Sequence, residues 1–284
     1  MSHAMRNLRN RSVVCVVAIL ALALPCAANV IGSETFSYPD GGIIGQTGGT
    51  GFDYDNTTSN DPFIGNTGTT SDWDQEFNVP TIVGGALVTH TSAVSREYNG
   101  PVEGGGDEWN GAINQAPTHD AHVVFFAFDI TRSVGNTQWS GASSYDFGDE
   151  KIFFGVPGAD SANGTIGIEE STVGNTLGAI QLAQGQTYRL VAVLDYDNDL
   201  LGLFVDPDAA DYWNVATGSN SADVTRAYTG SNWSSAVRLG SGQETTWDNL
   251  VVATEPADVG VPEPTTMGLL AIGSAGLISR RRRR

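Results

Sequence analysis

Asp72-Trp73-Asp74-Gln75-Glu76 carries an acidic side chain at every second position. On a strand, that period turns three carboxyl groups to one face, where two of them can flank a glycosidic bond. The run comes before the first long apolar segment, so a polar loop leading to Pro80 accounts for it better than a catalytic strand. His119-Asp120-Ala121-His122 offers two imidazoles, but strand residues three apart face opposite ways and no third ligand is near, which argues against zinc. The sharply turned Gly-x-Ser-x-Gly of a serine hydrolase is absent. Asp195, Asp197 and Asp199 alternate like the start of a calcium loop, with Asp206 at the twelfth position. Leu200 stands where such a loop needs glycine, and a tight hairpin turn between Leu190–Leu194 and Leu200–Val205 explains the same residues. No cofactor is therefore expected, with calcium on those three aspartates the open alternative. Of the six tryptophans, Trp247 begins an apolar strand and belongs in a core. Trp73, Trp109 and Trp233 lie in polar, Gly- or Asn-rich stretches and are the candidate platforms for stacking sugar rings.

The elements that must position these residues are strands. Short alternating or wholly apolar runs recur at Thr81–His90, Ala121–Ile130, Lys151–Val156, Thr165–Glu169, Thr187–Asp195, Leu200–Asp206, Val237–Gly240 and Trp247–Thr254. Turn clusters such as Gly104-Gly105-Gly106-Asp107 separate them, and no long 3.6-residue apolar period appears. Asp208–Val215 predicts one helical turn. Without crossover helices, strands of this number must pair antiparallel and pack sheet on sheet, which gives an all-β, two-sheet antiparallel sandwich.

Both ends read differently from the body. Arg6, Arg9 and Arg11 precede an apolar stretch from Val13 to Leu24, followed by small residues that suit cleavage between Ala28 and Asn29. Residues 1–28 thus read as a secretory signal peptide with a short apolar helix. Both cysteines, Cys15 and Cys26, fall inside it, so the body has no disulfide and no thiol chemistry. At the other end, Val261-Pro262-Glu263-Pro264 leads into an apolar run from Thr265 to Ile278 and then Arg280, Arg281, Arg282, Arg283 and Arg284. The prolines stop any preceding element, the apolar run can enter lipid as a short hydrophobic helix, and the arginines hold its end on the cytoplasmic side. As a helix the run spans about 21 Å against a hydrocarbon thickness of about 30 Å, which suits a transient anchor. Setting aside the eight terminal arginines and Glu263 leaves six basic residues against 31 acidic ones, a net charge of −25 for residues 29–261. Such a surface repels nucleic acid and anionic polymers and attracts cations.

The order of proline-glutamate-proline, short apolar helix and arginine tail resembles the PEP-CTERM sorting signal of exported bacterial proteins. The resemblance implies handling by an exosortase-type membrane transpeptidase and delivery to the cell surface or an extracellular polysaccharide matrix. A second resemblance runs through the body. Phe36 to Phe52, Asp149-Glu-Lys-Ile-Phe-Phe-Gly155, the hairpin from Tyr188 through Pro207, and Trp247-Asp-Asn-Leu-Val-Val-Ala253 look, in that order, like concanavalin A-like (laminin G-like) jelly-roll domains. The chain then divides into a signal peptide at 1–28, a jelly roll at 29–258 and a sorting segment at 259–284. Such jelly rolls host lectins, glucanases and adhesive modules. The expectation is an exported, non-catalytic, carbohydrate-binding surface or matrix protein. The alternatives are a glycan-cleaving hydrolase of the same fold and a structural component bridged by divalent cations.

Overall fold

Residues Val123–Arg132 form a strand in which Val124, Phe126, Phe128 and Ile130 point to one side and Val123, Phe125 and Ala127 to the other, all buried. An apolar run of this kind requires cover on both faces, and the computed structural model supplies it. It describes residues 30–44, 46, 48–50, 74–97, 123–146, 149–228 and 236–261.

Among these residues the strands make two antiparallel sheets. The nine-stranded sheet runs β14 (Val224–Ala227), β13 (Leu200–Val205), β12 (Thr187–Asp195), β7 (Val123–Arg132), β16 (Thr245–Ala253), β5 (Ala86–Thr89), β4 (Thr81–Val83), β2 (Gly41–Gly42). Its ninth strand, β1 (Val30–Glu34), pairs with the second half of β16 beyond a register shift between Asp248 and Val251. The seven-stranded sheet runs β11 (Gly174–Gln181), β10 (Thr165–Glu170), β9 (Asp149–Val156), β8 (Ser140–Asp146), β15 (Ala236–Ser241), β6 (Ser92–Glu97), β3 (Asp74–Phe77). The chain crosses between sheets after β2, β3, β5, β6, β7, β11, β14 and β15, the connectivity of a jelly-roll sandwich, and β1 pairs with β16, the first and last of the described strands.

The main core lies between the sheets, from Phe128, Leu190 and Trp247 on one side to Ile152, Phe154 and Leu239 on the other. A second cluster covers the far face of the nine-stranded sheet. There Phe125, Val193 and Phe204 pack under Trp213, Val259 and Val261, all of them buried. Trp213 has no exposed surface, meets Phe204 edge-on at 6.2 Å and lies so close to Gly202 that a Cβ there would be 2.3 Å from the indole. The last described segment folds back through a 3₁₀ turn at Pro256–Val259, and Val261 N–H donates to the Pro256 carbonyl at 2.9 Å.

Polar ties join the two sheets. Thr89 of β5 shares a 2.6 Å hydrogen bond with Ser241 of β15 and accepts from Trp247 Nε1 at 2.8 Å. Arg96 of β6 donates to Glu34 of β1 at 2.9 Å, both side chains almost fully buried, while Phe36 N–H donates to the other carboxylate oxygen at 2.8 Å. Tyr38 also donates to Glu34, and burial, followed by that bond and the carboxylate charge, pushes its phenol up to about 12.

Three local readings change. Thr81–His90 is not one strand but a hairpin, because Gly84 and Gly85 both take positive φ, where a turn is cheap for glycine. Asp208–Val215 makes no helix: Asp211 N–H closes a turn onto the Asp208 carbonyl, and Trp213 then bridges to Asn220, drawing the segment across the second cluster. Asp74–Phe77, read as loop, pairs with β6 as an edge strand.

Two outcomes follow for stability. Glu34→Ala breaks the buried ion pair with Arg96 and is expected to cost about 3–5 kcal/mol in urea unfolding, whereas Glu34→Leu combined with Arg96→Met recovers most of it. A chain ending at Asp258 should be less stable than one ending at Val261 by roughly 1.5–3 kcal/mol for each valine withdrawn from the second cluster. Equal midpoints for the two lengths would show that this packing contributes nothing.

Candidate functional site

One face of the nine-stranded sheet lies in the core and the other is covered; on the outer face of the seven-stranded sheet, Ala93, Ser95, Ser143 and Phe153 are buried while Trp139, Glu150, Glu169 and Arg238 are partly exposed around a cavity. Register builds that face in rows. Gly240 of β15, Gly141 of β8, Gly155 of β9 and Gly167 of β10 stand directly opposite one another across four neighbouring strands. Glycine inside a strand weakens it and marks a place where something approaches the backbone closely. At Gly141 and Gly240 aromatic rings do so, and at Gly155 and Gly167 the carbonyls of Ser140 and Thr176. A Cβ on Gly141 would lie 2.4 Å from the Phe153 ring, and Cβ atoms on Gly240 and Gly242 would come within 3.2 and 3.0 Å of Trp139. The two rings meet edge-on at 6.1 Å, and the missing side chains make room for that pair against the sheet.

The next row along the same face reads Arg238, Ser143, Phe153, Glu169, Asn175 over five strands. At ~4.8 Å per strand that row is about 19 Å long. Around it opens a cavity of about 380 Å³, walled by Pro157, Gly158 and Ala159 and lined by Trp139, Phe153, Glu150, Glu169, Asn175 and Arg238. Arg238 donates to Glu150 at 2.5 Å and stacks its guanidinium 6.0 Å from the Trp139 centroid, while Ser143 donates to the same carboxylate oxygen at 2.6 Å. Glu150 is thus held from two sides. Glu169 has no hydrogen-bond or ion-pair partner among the described residues; burial, and then the Glu150 charge, raise its carboxyl above the ordinary range. An aromatic floor beside fixed donors and acceptors can stack a flat apolar surface and hydrogen-bond its polar rim.

The residues singled out from sequence fall elsewhere. Trp73, Trp109 and Trp233 lie outside the described residues, as do His119, His122, Ala28, Asn29 and the sorting motif from Pro262 through Arg280, Arg281, Arg282, Arg283 and Arg284. Val261 is described and buried. Asp195 is fully buried and accepts from Trp213 Nε1 at 2.9 Å and from both the backbone N–H and the amide of Asn198 at 3.1 and 2.9 Å. Burial raises its carboxyl, and those donors oppose the shift. Asp197 and Asp199 are exposed on the hairpin turn, Asp199 with φ of 50°. Among the described residues no three His, Cys, Asp or Glu side chains converge where a metal could be held. Trp247 is fully buried, as expected of a core residue. Trp139, Glu150, Glu169 and Arg238 were not selected from sequence, although the glycines inside their strands were a usable signal.

The raised Glu169 carboxyl makes a signed pH expectation. The folded protein holds that proton more tightly than the unfolded chain, so its contribution is fully favourable below the unfolded pKa and is lost as pH rises through the folded one. Glu169→Gln should match the parent in acid and exceed it in stability at neutral pH, as read by urea midpoints across that range.

No curated protein sequence matches this chain. Among solved structures it is similar to the Trypanosoma rangeli sialidase, at 13% identity and a TM-score of 0.45 over 82% of this chain; it spans about a third, 32%, of the sialidase's length. It is similar also to the carbohydrate binding module CBM66 from Bacillus subtilis, at 10% identity and a TM-score of 0.41 over 64% of this chain and 94% of that one. The Caenorhabditis elegans galectin LEC-6 is similar at 10% identity and a TM-score of 0.35, over 55% and 95% of the two chains. Residues 260–284 match the family described as the PEP-CTERM protein-sorting motif, so this chain carries that motif at its C-terminal end and is an exported protein sorted at the cell envelope.

Proposed function

We propose that this exported protein is a non-catalytic carbohydrate-binding module that holds a glycan across the outer face of its seven-stranded sheet. The observation that carries this reading is the pair of adjacent rows. One is a line of glycines in which Gly141 and Gly240 make room for the Phe153 and Trp139 rings, Trp139 being the partly exposed one, and the other carries hydrogen-bonding groups at Arg238, Glu169 and Asn175. A sugar ring has an apolar face and a polar edge, and the two rows offer one surface for each. The sorting motif, read with its implied exosortase-type transpeptidase, would deliver the site to the cell surface or to a polysaccharide matrix.

Hydrolysis is the second reading, and one observation favours it. Glu150 is paired with the Arg238 guanidinium while Glu169 beside it is pushed toward the protonated form, two unlike environments of the kind that separate the roles of a pair of glycosidase carboxyls. Against it, Glu150 is already engaged by both Arg238 and Ser143, which suits a positioning role better than attack on an anomeric carbon.

The test is a glycan array probed with the purified exported protein, followed by titration of each hit. Trp139→Ala is expected to weaken the hit at least tenfold, about 1.4 kcal/mol, with the unfolding transition retained. An array without a hit, or a hit indifferent to Trp139, would sink the binding reading. Breakdown of the bound glycan, lost in both Glu150→Gln and Glu169→Gln, would replace it with the hydrolase.

A further inference from the structure

Three charged groups face the cavity: Arg238, Glu150 and Glu169. Arg238 and Glu150 neutralise each other at 2.5 Å, and the guanidinium is further committed to the Trp139 ring. Glu169 stands directly opposite Phe153 on the neighbouring strand, where Cβ atoms are about 4.5–5.5 Å apart, and no cation among the described residues is paired with it. The cavity therefore has one uncompensated negative charge next to an aromatic surface. Burial and Glu150 both make that charge costly as long as it stays alone.

Building on the carbohydrate-binding reading above, we propose that this pocket takes an amino sugar, the ring lying against Trp139 and the ammonium group meeting Glu169. The incoming cation supplies the charge that the fold does not provide there. A uronate would fare worse on two counts. Its carboxylate would face Glu169, and it could reach Arg238 only by displacing Glu150. The excess of acidic residues between positions 29 and 261 adds a general field of the same sign. A neutral N-acetylated unit would keep the stacking and lose the ionic contact.

Calorimetric titration of the full protein against short β-linked glucosamine oligosaccharides, their N-acetylated forms and galacturonate oligosaccharides tests this directly, with spermidine as a cation lacking a sugar ring. The free-amine sugar is expected to bind at least about tenfold tighter than the N-acetylated one, with galacturonate weakest. Glu169→Gln should bring the first two together, and Trp139→Ala should weaken both. If the preference survives Glu169→Gln, or if spermidine competes as well as glucosamine, the attraction comes from the overall acidic field and the proposal is overturned. N-acetylated and free-amine sugars binding alike through Trp139 would overturn it too, while leaving the carbohydrate-binding reading intact. Failure of every sugar to bind would remove that underlying reading and this proposal with it.

Discussion

The nine-stranded sheet is apolar on both faces, and this demand for cover organises the molecule. Val124, Phe126, Phe128 and Ile130 are satisfied by the other sheet; Val123, Phe125 and Ala127 need a second layer. The chain supplies it from two places, the segment that carries Trp213 and the final stretch to Val261. Asp195 belongs to this arrangement. It accepts the indole N–H of Trp213 and the amide of Asn198, so a carboxylate that looks like a metal ligand in the sequence serves to fix a lid and a hairpin turn. One consequence reaches the tail. Val261 is buried, so the packing of this face reaches the residue that directly precedes Pro262 in the sequence.

On the opposite sheet, the glycine row shows how room for aromatic rings is gained at a structural cost. Four glycines in register each weaken their strand by roughly 0.5–1 kcal/mol relative to alanine. The loss is offset where Phe153 and Trp139 settle onto the bare backbone and bury apolar area there. Gly164 shows the same economy at a different place. It takes a φ of 74°, and a Cβ there would lie 2.4 Å from the buried Arg132 guanidinium, which donates to the Asn136, Gln138 and Ser161 carbonyls and pins the loop before Trp139. The loop that leads to Trp139 is thus held in place by a buried side chain.

Much of the fold was legible because period and composition are local properties. The strand runs from Lys151 to Asp206, the hairpin at Asp197, the burial of Trp247 and the sandwich itself all follow from alternation and turn chemistry. The strand at Ser140–Asp146 escaped because small polar residues replace the apolar partners that define a period, and Gly174–Gln181 escaped because it is an exposed edge. The site was illegible for a different reason. Arg238, Ser143, Phe153, Glu169 and Asn175 become neighbours only through register across five strands, and no local pattern encodes that. Attention to tryptophans in polar surroundings led away from Trp139, whose context is ordinary until Gly240 and Gly242 are placed beneath it.

The charge pattern follows from the same packing. Every arginine of the body is engaged internally, Arg96 with Glu34, Arg132 with three carbonyls, Arg189 with Asp129, Arg226 with Glu170 and Arg238 with Glu150. The acidic residues outnumber these few cations several times over, so the outward field of the body is set by carboxylates. The remaining arginines of the chain, Arg6, Arg9, Arg11 and Arg280 to Arg284, sit in the two terminal segments. Basic ends resist translocation and stay on the cytoplasmic side of a membrane, whereas an acidic body meets no such bias. The basic excess thus lies at the two ends and the acidic excess in the body, and Glu169, the carboxyl of the Trp139 cavity with no cation paired to it among the described residues, shares the sign of that field.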